Sequence, residues 1–168
     1  AGAAVLEADE AEEHAGILST VLGTDGAGGM VLRCDNRRNH NPYVKGDTAL
    51  SYVSMNGQEV YKFAVRTVPK VIAGAVEAAG LSMDEIDFFL LHQANLRIIG
   101  AVAKRLHQPM EKFPTNLQKY GNISSASVPI LLDNVNNHGM IGEGSKIVLA
   151  GFGAGLTWGA AVLRWQAV

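Results

Sequence analysis

The chain has 168 residues, 48% apolar and 18% charged, with a formal net charge of −2. That length supports one domain with a sizeable core, and a charge so near zero excludes a bulk nucleic-acid binder. No apolar run reaches the roughly 18 residues of a membrane span, and the single cysteine, Cys34, excludes an intramolecular disulfide and fits a reducing compartment.

The opening stretch, Ala1-Gly2-Ala3-Ala4-Val5-Leu6-Glu7, has no initiator methionine and no leader pattern. It reads as the middle of a strand, so the expectation is one part of a larger protein. Residues 3–8 predict a small-residue strand, and 9–14 an acidic, solvated turn. Residues 16–24 alternate through Ile17, Val21 and Leu22 and predict a second strand, antiparallel to the first. Residues 25–51 hold Gly26, Gly28, Gly29, Pro42 and Gly46. A loop of that length is usually functional or an interface. Its glycines fit neither a Walker pattern nor a dinucleotide spacing, so it reads as a loop or subunit contact rather than a phosphate cradle.

A long helix follows over 56–79, with Val60, Phe63, Ala64, Thr67, Val68, Val71, Ile72, Ala75 and Val76 on one broad face. Asn56 caps it, Glu59 stands at the capping-box position, Pro69 predicts a kink and Gly80 ends it. Ser82 with Glu85 forms a second capping box just before an apolar strand at 88–91. The next helix, 95–106, turns Leu96, Ile99, Val102, Ala103 and Leu106 inward and Arg97, Lys104 and Arg105 to the opposite side. A short strand is expected at 113–116. A helix is expected at 125–138, with Val128, Leu131, Leu132 and Val135 inward and Pro129 tolerated in its first turn. Strands at 146–150 and 157–165, joined by a glycine-rich turn, close the chain. This order implies an α/β fold: a mixed, mostly parallel sheet flanked by helices, with an antiparallel edge.

Three stretches carry the chemistry. His92 ends the apolar run Phe88-Phe89-Leu90-Leu91 and opens Gln93-Ala94-Asn95-Leu96-Arg97, the place where open α/β folds put their active groups. Gly121-Asn122-Ile123-Ser124-Ser125-Ala126-Ser127-Val128-Pro129 and Gly151-Phe152-Gly153-Ala154-Gly155-Leu156-Thr157-Trp158-Gly159 follow at equal intervals. Each alone has a plain reading: a hydrogen-bonded structural histidine, a turn asparagine, a hairpin. Together and in this order they resemble the carboxy-terminal half of beta-ketoacyl-acyl-carrier-protein synthase III, a condensing enzyme of the thiolase fold.

The resemblance implies that residues 1–168 form that half, with the nucleophilic cysteine in an amino-terminal half absent from this chain. It implies an acyltransferase that starts fatty acid synthesis by decarboxylative condensation of malonyl-acyl-carrier protein with acyl-CoA, acetyl-CoA in the first place. His92 and Asn122 would be the second and third members of a Cys-His-Asn triad, and Gly153, Ala154 and Gly155 the oxyanion turn, with Phe152 packed beside the nucleophile. The family often has a third glycine where Ala154 stands. Asn95, Met55, Gly57 and Tyr61 would line the phosphopantetheine or CoA tunnel, and Arg97, Lys104 and Arg105 would meet the acidic carrier protein. CoA and phosphopantetheine thioesters would be substrates, with no cofactor and no metal. Partners would be the amino-terminal half, acyl carrier protein, acyl-CoA and a second full-length copy, in the cytoplasm or a plastid stroma, with no nucleic acid and no membrane. A non-catalytic carrier-protein-binding module and a polyketide-type condensing enzyme are the alternatives. Cys34 has no helix entrance after it to lower its pKa and is not expected to be the nucleophile.

Overall fold

The computed structural model describes residues 1–6, 16–35, 43 and 51–166. The acidic turn expected at 9–14 and most of the loop beyond residue 35 lie outside those residues. The strands are β1 (Gly16–Thr24), β2 (Leu32–Arg33), β3 (Ser54–Met55), β4 (Phe88–Leu91), β5 (Lys146–Gly153) and β6 (Thr157–Arg164). The helices are α1 (Gly57–Ala78), α2 (Leu96–Arg105), α3 (Leu117–Tyr120) and α4 (Ser127–Asn137).

The main sheet runs β1-β6-β5-β4, and β2 and β3 form a separate two-stranded ribbon. β4 pairs with β5 in parallel, while β5–β6 and β6–β1 are antiparallel. The sheet is therefore mixed, as expected, but its parallel part is one pair among the described strands. Two local differences from expectation accompany this. Residues 3–6 are irregular and exposed, and residues 7 and 8 lie outside the described set, so β1 takes β6 as its antiparallel partner instead of a preceding strand. Residues 113–116 are not a strand either: a 3-10 turn, Met110–Lys112, leads into irregular chain. Pro114 has no N–H to offer a ladder, and Phe113 is instead buried, stacked on Phe89 with ring centroids 4.8 Å apart.

α1 and α2 pack on one face of the sheet, over Phe89, Leu91, Val148, Ala150, Ala160 and Val162. α4 covers Leu90 and Ile147 on the other face. With both faces covered, successive β4 residues bury in opposite layers, which is why that strand reads as an unbroken apolar run.

Helix ends follow local chemistry. The Asn56 side chain accepts the Glu59 N–H at 3.2 Å, while the Glu59 carboxylate turns to Lys62 Nζ at 2.8 Å instead of completing the capping box. α1 continues as one helix through buried Pro69, and its buried face also includes Val65, while Val60 and Thr67 are half-buried. Gly80, at φ +70°, closes it: its N–H reaches Glu77 O at 2.9 Å and the Leu81 N–H reaches Val76 O at 3.1 Å. These are the two bonds of a Schellman cap, whose left-handed residue favours glycine. α2 differs from expectation at its start. Asn95 is the cap, Leu96 is 53% exposed, and Ile98, Ile99, Val102 and Ala103 make the buried stripe. α4 begins at Ser127 because Ser124–Ala126 is a 3-10 turn; Leu131 and Val135 are buried, Val128 and Leu132 half-buried.

The Ser82–Glu85 turn is present as a 3-10 turn, Met83–Glu85. The Glu85 carboxylate accepts the Ser82 N–H at 2.9 Å and the Ser82 hydroxyl at 3.0 Å, and pairs with Lys146 Nζ at 2.9 Å. The Lys146 hydrogen bond, then the Ser82 bonds, hold its pKa down to about 2. A depressed carboxylate contributes stability above its ordinary value of 4.5 and loses it as pH falls toward 2. In Lys146→Ala, the Glu85 carboxyl resonance is expected to titrate closer to 4.5 by NMR. Phe89→Ala removes a fully buried stacked ring and is expected to cost about 3–5 kcal/mol in denaturant unfolding.

Candidate active site

β4 delivers His92 to the end of the sheet. The parallel ladder pairs Leu91 with Ala150, and the His92 N–H extends it by donating to Ala150 O at 2.8 Å. Beyond this point neighbouring side chains diverge. His92 is half-buried at an open cleft, whereas Gln93 has no exposed surface. Gln93 Nε2 donates to Leu91 O at 2.8 Å, and its Oε1 accepts the Asn116 N–H at 3.1 Å. Asn116 Nδ2 in turn donates to Asn134 Oδ1 on α4 at 2.8 Å. A buried amide needs such partners, because an unpaired one costs about 1–3 kcal/mol. The chain Gln93–Asn116–Asn134 thus ties the histidine turn to the helix that follows Asn122.

His92 Nδ1 lies 2.5 Å from Ser127 Oγ. Its ring meets Phe152 edge-on at 5.4 Å between centroids. Phe152 belongs to an aromatic wall: Phe63 lies 6.3 Å from it and 5.6 Å from Trp158. Burial among these groups holds the imidazole pKa below its ordinary 6.5, because the charged form loses water. His92 is therefore neutral at pH 7.

Asn122 is exposed on the rim of the same cleft. Its Oδ1 accepts the Ser124 N–H at 3.1 Å, with Ser124 held at φ +55°. That bond turns the oxygen end of the amide toward the Ser124 backbone and leaves the NH2 available as a donor.

The glycine-rich turn joins β5 to β6. Gly153 and Ala154 line the cleft, and Gly155 lies behind them at φ +142°. A Cβ on Gly155 would sit 2.5 Å from Thr157 Cγ2, so only glycine fits. The turn is clamped from β1: the Asp25 N–H donates to Leu156 O at 2.7 Å and the Leu156 N–H to Asp25 O at 2.8 Å. Thr157 Oγ1 donates to Ala154 O at 2.9 Å.

The expected entrance residues divide. Met55, Gly57, Tyr61, Asn95 and Arg97 line the cleft. Asn95 Oδ1 is used to cap α2, accepting the Arg97 N–H at 2.8 Å, so its NH2 is the free end. The Arg97 guanidinium lies over the Tyr61 ring, 5.5 Å from its centroid. Lys104 and Arg105 are exposed on the last turn of α2, outside the cleft, about 10–12 Å along the helix from Arg97 at 1.5 Å per residue. Cys34 lines the cleft too, with Sγ donating to Ser51 O at 3.5 Å.

The cleft measures about 1640 Å³, beyond the roughly 300–1,000 Å³ of a small-molecule pocket, so it is a broad concave face rather than a closed cavity. Among the described residues no group of three or more His, Cys, Asp or Glu could hold a metal, and no helix is long and apolar enough to cross a membrane. Sequence reasoning gave no role to Ser127, Gln93, Phe63 or Trp158. Ser127 stood inside a motif with two other serines, and only the packing of α4 against the histidine turn singles it out.

Residues 76–165 match the model of the 3-oxoacyl-acyl-carrier-protein synthase III C-terminal family. The chain belongs to that family. Among similar proteins, the beta-ketoacyl-acyl-carrier-protein synthase III of Synechococcus sp. strain WH7803 is 46% identical over 170 residues, covering 99% of this chain and 50% of that protein. The synthase III of Clostridium acetobutylicum is 44% identical over 167 residues, covering 98% of this chain and 50% of that protein. The crystal structure of the Thermus thermophilus synthase III superposes with a TM-score of 0.83 at 43% identity, over 94% of this chain and 48% of that one. The fold is thus the thiolase-like α/β arrangement of the synthase III structures. The chain spans about half the length of the curated relatives it matches.

The lowered pKa of His92 sets a pH dependence. As pH falls below about 6.5, the unfolded chain takes up the proton first, so stability falls through the window between 6.5 and the lower folded value. Titration of the His92 Cε1–H resonance is expected to show a midpoint below the ordinary 6.5; a midpoint at or above that value would contradict the burial argument.

Proposed function

We propose that this chain supplies the His/Asn side of the active site of a decarboxylating condensing enzyme. The full protein would join malonyl-acyl-carrier protein to an acyl-CoA primer, acetyl-CoA in the first place, at the start of fatty acid synthesis. The observation that carries this reading is the polarity of two neighbouring groups. His92, its pKa held down by burial, turns Nδ1 to Ser127 and Asn122 turns Oδ1 to the Ser124 N–H, which leaves Nε2 of one and the NH2 of the other as the groups available to one cleft.

That polarity suits the reaction. Malonyl thioester loses carbon dioxide when its carbon–carboxylate bond breaks, and the electron pair enters an enolate whose charge rests on the thioester oxygen. Neutral donors aimed at that oxygen stabilise the developing charge more than the ground state. The enolate carbon then attacks the acyl carbonyl carbon held on a cysteine, and that cysteine leaves as the thiolate. The cysteine would come from the amino-terminal half, the natural partner of residues 1–168. The Ala154 N–H would complement the cysteine's own N–H at the acyl carbonyl, with Gly153 and Gly155 letting the backbone approach closely. Phe152 would hold the imidazole edge beside that centre. The reaction as written uses no metal and no redox cofactor.

Met55, Gly57, Tyr61 and the Asn95 amide would line the path of the CoA or phosphopantetheine arm. Arg97, at the rim, would meet the acidic carrier protein. Lys104 and Arg105 would act further out, on encounter rather than at the entrance, since exposed charges raise association rates more than affinity. The working form would be a homodimer of the full-length protein, in the cytoplasm or a plastid stroma.

In the full-length protein that carries this chain, His92→Ala is expected to lower malonyl decarboxylation by about a hundred- to a thousandfold while leaving acetyl transfer from CoA largely intact. Equal loss of both would contradict the division of roles. Arg97→Glu is expected to raise the KM for malonyl-acyl-carrier protein far more than that for acetyl-CoA. Unchanged carrier-protein kinetics would remove Arg97 from the docking site, and a full-length protein that binds carrier protein without condensing it would favour the binding-module alternative.

A further inference from the structure

Ser127 is the first residue of α4, has no exposed surface, and brings its hydroxyl to both His92 and Gln93. The hydroxyl is not a helix cap, since Ala126 occupies the cap position and no side chain caps this helix. Its surroundings decide where its proton goes. The Gln93 N–H can only donate, and it does so to Ser127 Oγ at 3.3 Å, filling one lone pair. The hydroxyl proton then needs an acceptor. His92 Nδ1 stands 2.5 Å away, and among the described residues the hydroxyl makes no other side-chain bond. If Nδ1 carried the ring proton, it would donate into the second lone pair of Oγ, and the hydroxyl proton would be left without an acceptor on a residue that has no exposed surface. Buried donors left without partners are strongly disfavoured. If Nδ1 is bare, every proton in the cluster has an acceptor: Gln93 N–H to Oγ, and Oγ–H to Nδ1.

We propose that Ser127 is a positioning residue that fixes His92 as the Nε2–H tautomer, so that the free ring N–H is the one available to the cleft. The assignment of the tautomer rests on Ser127 and Gln93 alone; its use in catalysis rests on the reading of His92 as a donor given above. Ser127 touches no substrate in this scheme and acts through the imidazole. The same short segment sets both donors, since Ser124 orients the Asn122 amide and Ser127 the His92 ring. Asn122 and His92 would thus present hydrogen rather than lone pairs for one shared reason, the docking of the 122–127 turn onto the end of β4.

The test is a side-chain 15N correlation spectrum of the histidine-labelled full-length protein, with His92 assigned by its loss in His92→Ala. Wild type is expected to show His92 as a single Nε2–H tautomer at pH 8. Ser127→Ala is expected to show a mixture, with the tautomer ratio reduced on the order of tenfold, the factor equivalent to one pKa unit. Ser127→Cys, close in shape and a weaker partner, is expected to shift the ratio in the same direction by less, and it serves as the reading if the alanine variant does not fold. A purely structural role for Ser127 would lower thermal stability and leave the tautomer alone, so an unchanged single tautomer in either variant overturns the proposal. Decarboxylation of malonyl thioester is measured on the same samples. A mixed tautomer with kcat reduced and KM unchanged supports both readings. A mixed tautomer with undiminished decarboxylation upholds the role of Ser127 and overturns the donor role of His92 instead.

Discussion

The parallel pairing of β4 with β5 is the constraint on which the site depends. Its register sets Leu91 against Ala150, so the next residue of one strand, His92, emerges beside the last residues of the other, Gly151 to Gly153. Two stretches far apart in sequence reach one end of the sheet because their backbones share a ladder, and a slip of one residue would exchange the faces on which their side chains stand. The buried faces guard that register: Phe89 and Leu91 enter the α1–α2 layer and Leu90 the α4 layer, so a slipped β4 would misplace all three.

A second constraint acts across the layers. Gln93, Asn116 and Ser127 are buried polar residues in or close to the histidine turn, and each is satisfied by another part of the chain. Buried polar groups of this kind add little net stability when paired but penalise every arrangement in which they are not. They therefore act on specificity. The histidine turn can settle only where α4 and the chain before α3 supply its partners, and that placement is what carries Asn122 to the rim of the cleft.

Much of this was legible from the residues, and the misses share a cause. Long amphipathic stretches declared themselves: α1 and α2 fall within a residue or so of their expected limits, because capping asparagines and a left-handed glycine mark their ends. The apolar run of β4 and the glycine-rich turn after β5 were equally plain. Short segments whose conformation depends on a distant partner were not. Residues 113–116 look like a strand, yet Phe113 is consumed by stacking on Phe89 and Pro114 cannot enter a ladder. Leu96 looks like a core residue, yet it stands at the helix start and is 53% exposed, while Ile98 takes the inward place. His92, Asn122, Phe152, Gly153 and Ala154, singled out from the motif pattern, line one cleft, and their roles there rest on the proposed function. Ser127 went unassigned because three serines in one motif are equivalent until the fold selects one.

The clamp between Asp25 and Leu156 limits how this site can be altered. Two reciprocal backbone bonds join the turn at 153–157 to the end of β1, more than a hundred residues earlier. The hairpin is accordingly not a transplantable module. Grafted into another scaffold without the segment around Asp25, it would keep its glycines and lose the two backbone bonds that hold it in place. Loop-swapping or recombination between homologues would have to exchange both segments together, so the crossover points that respect this geometry lie on either side of the pair rather than between its members.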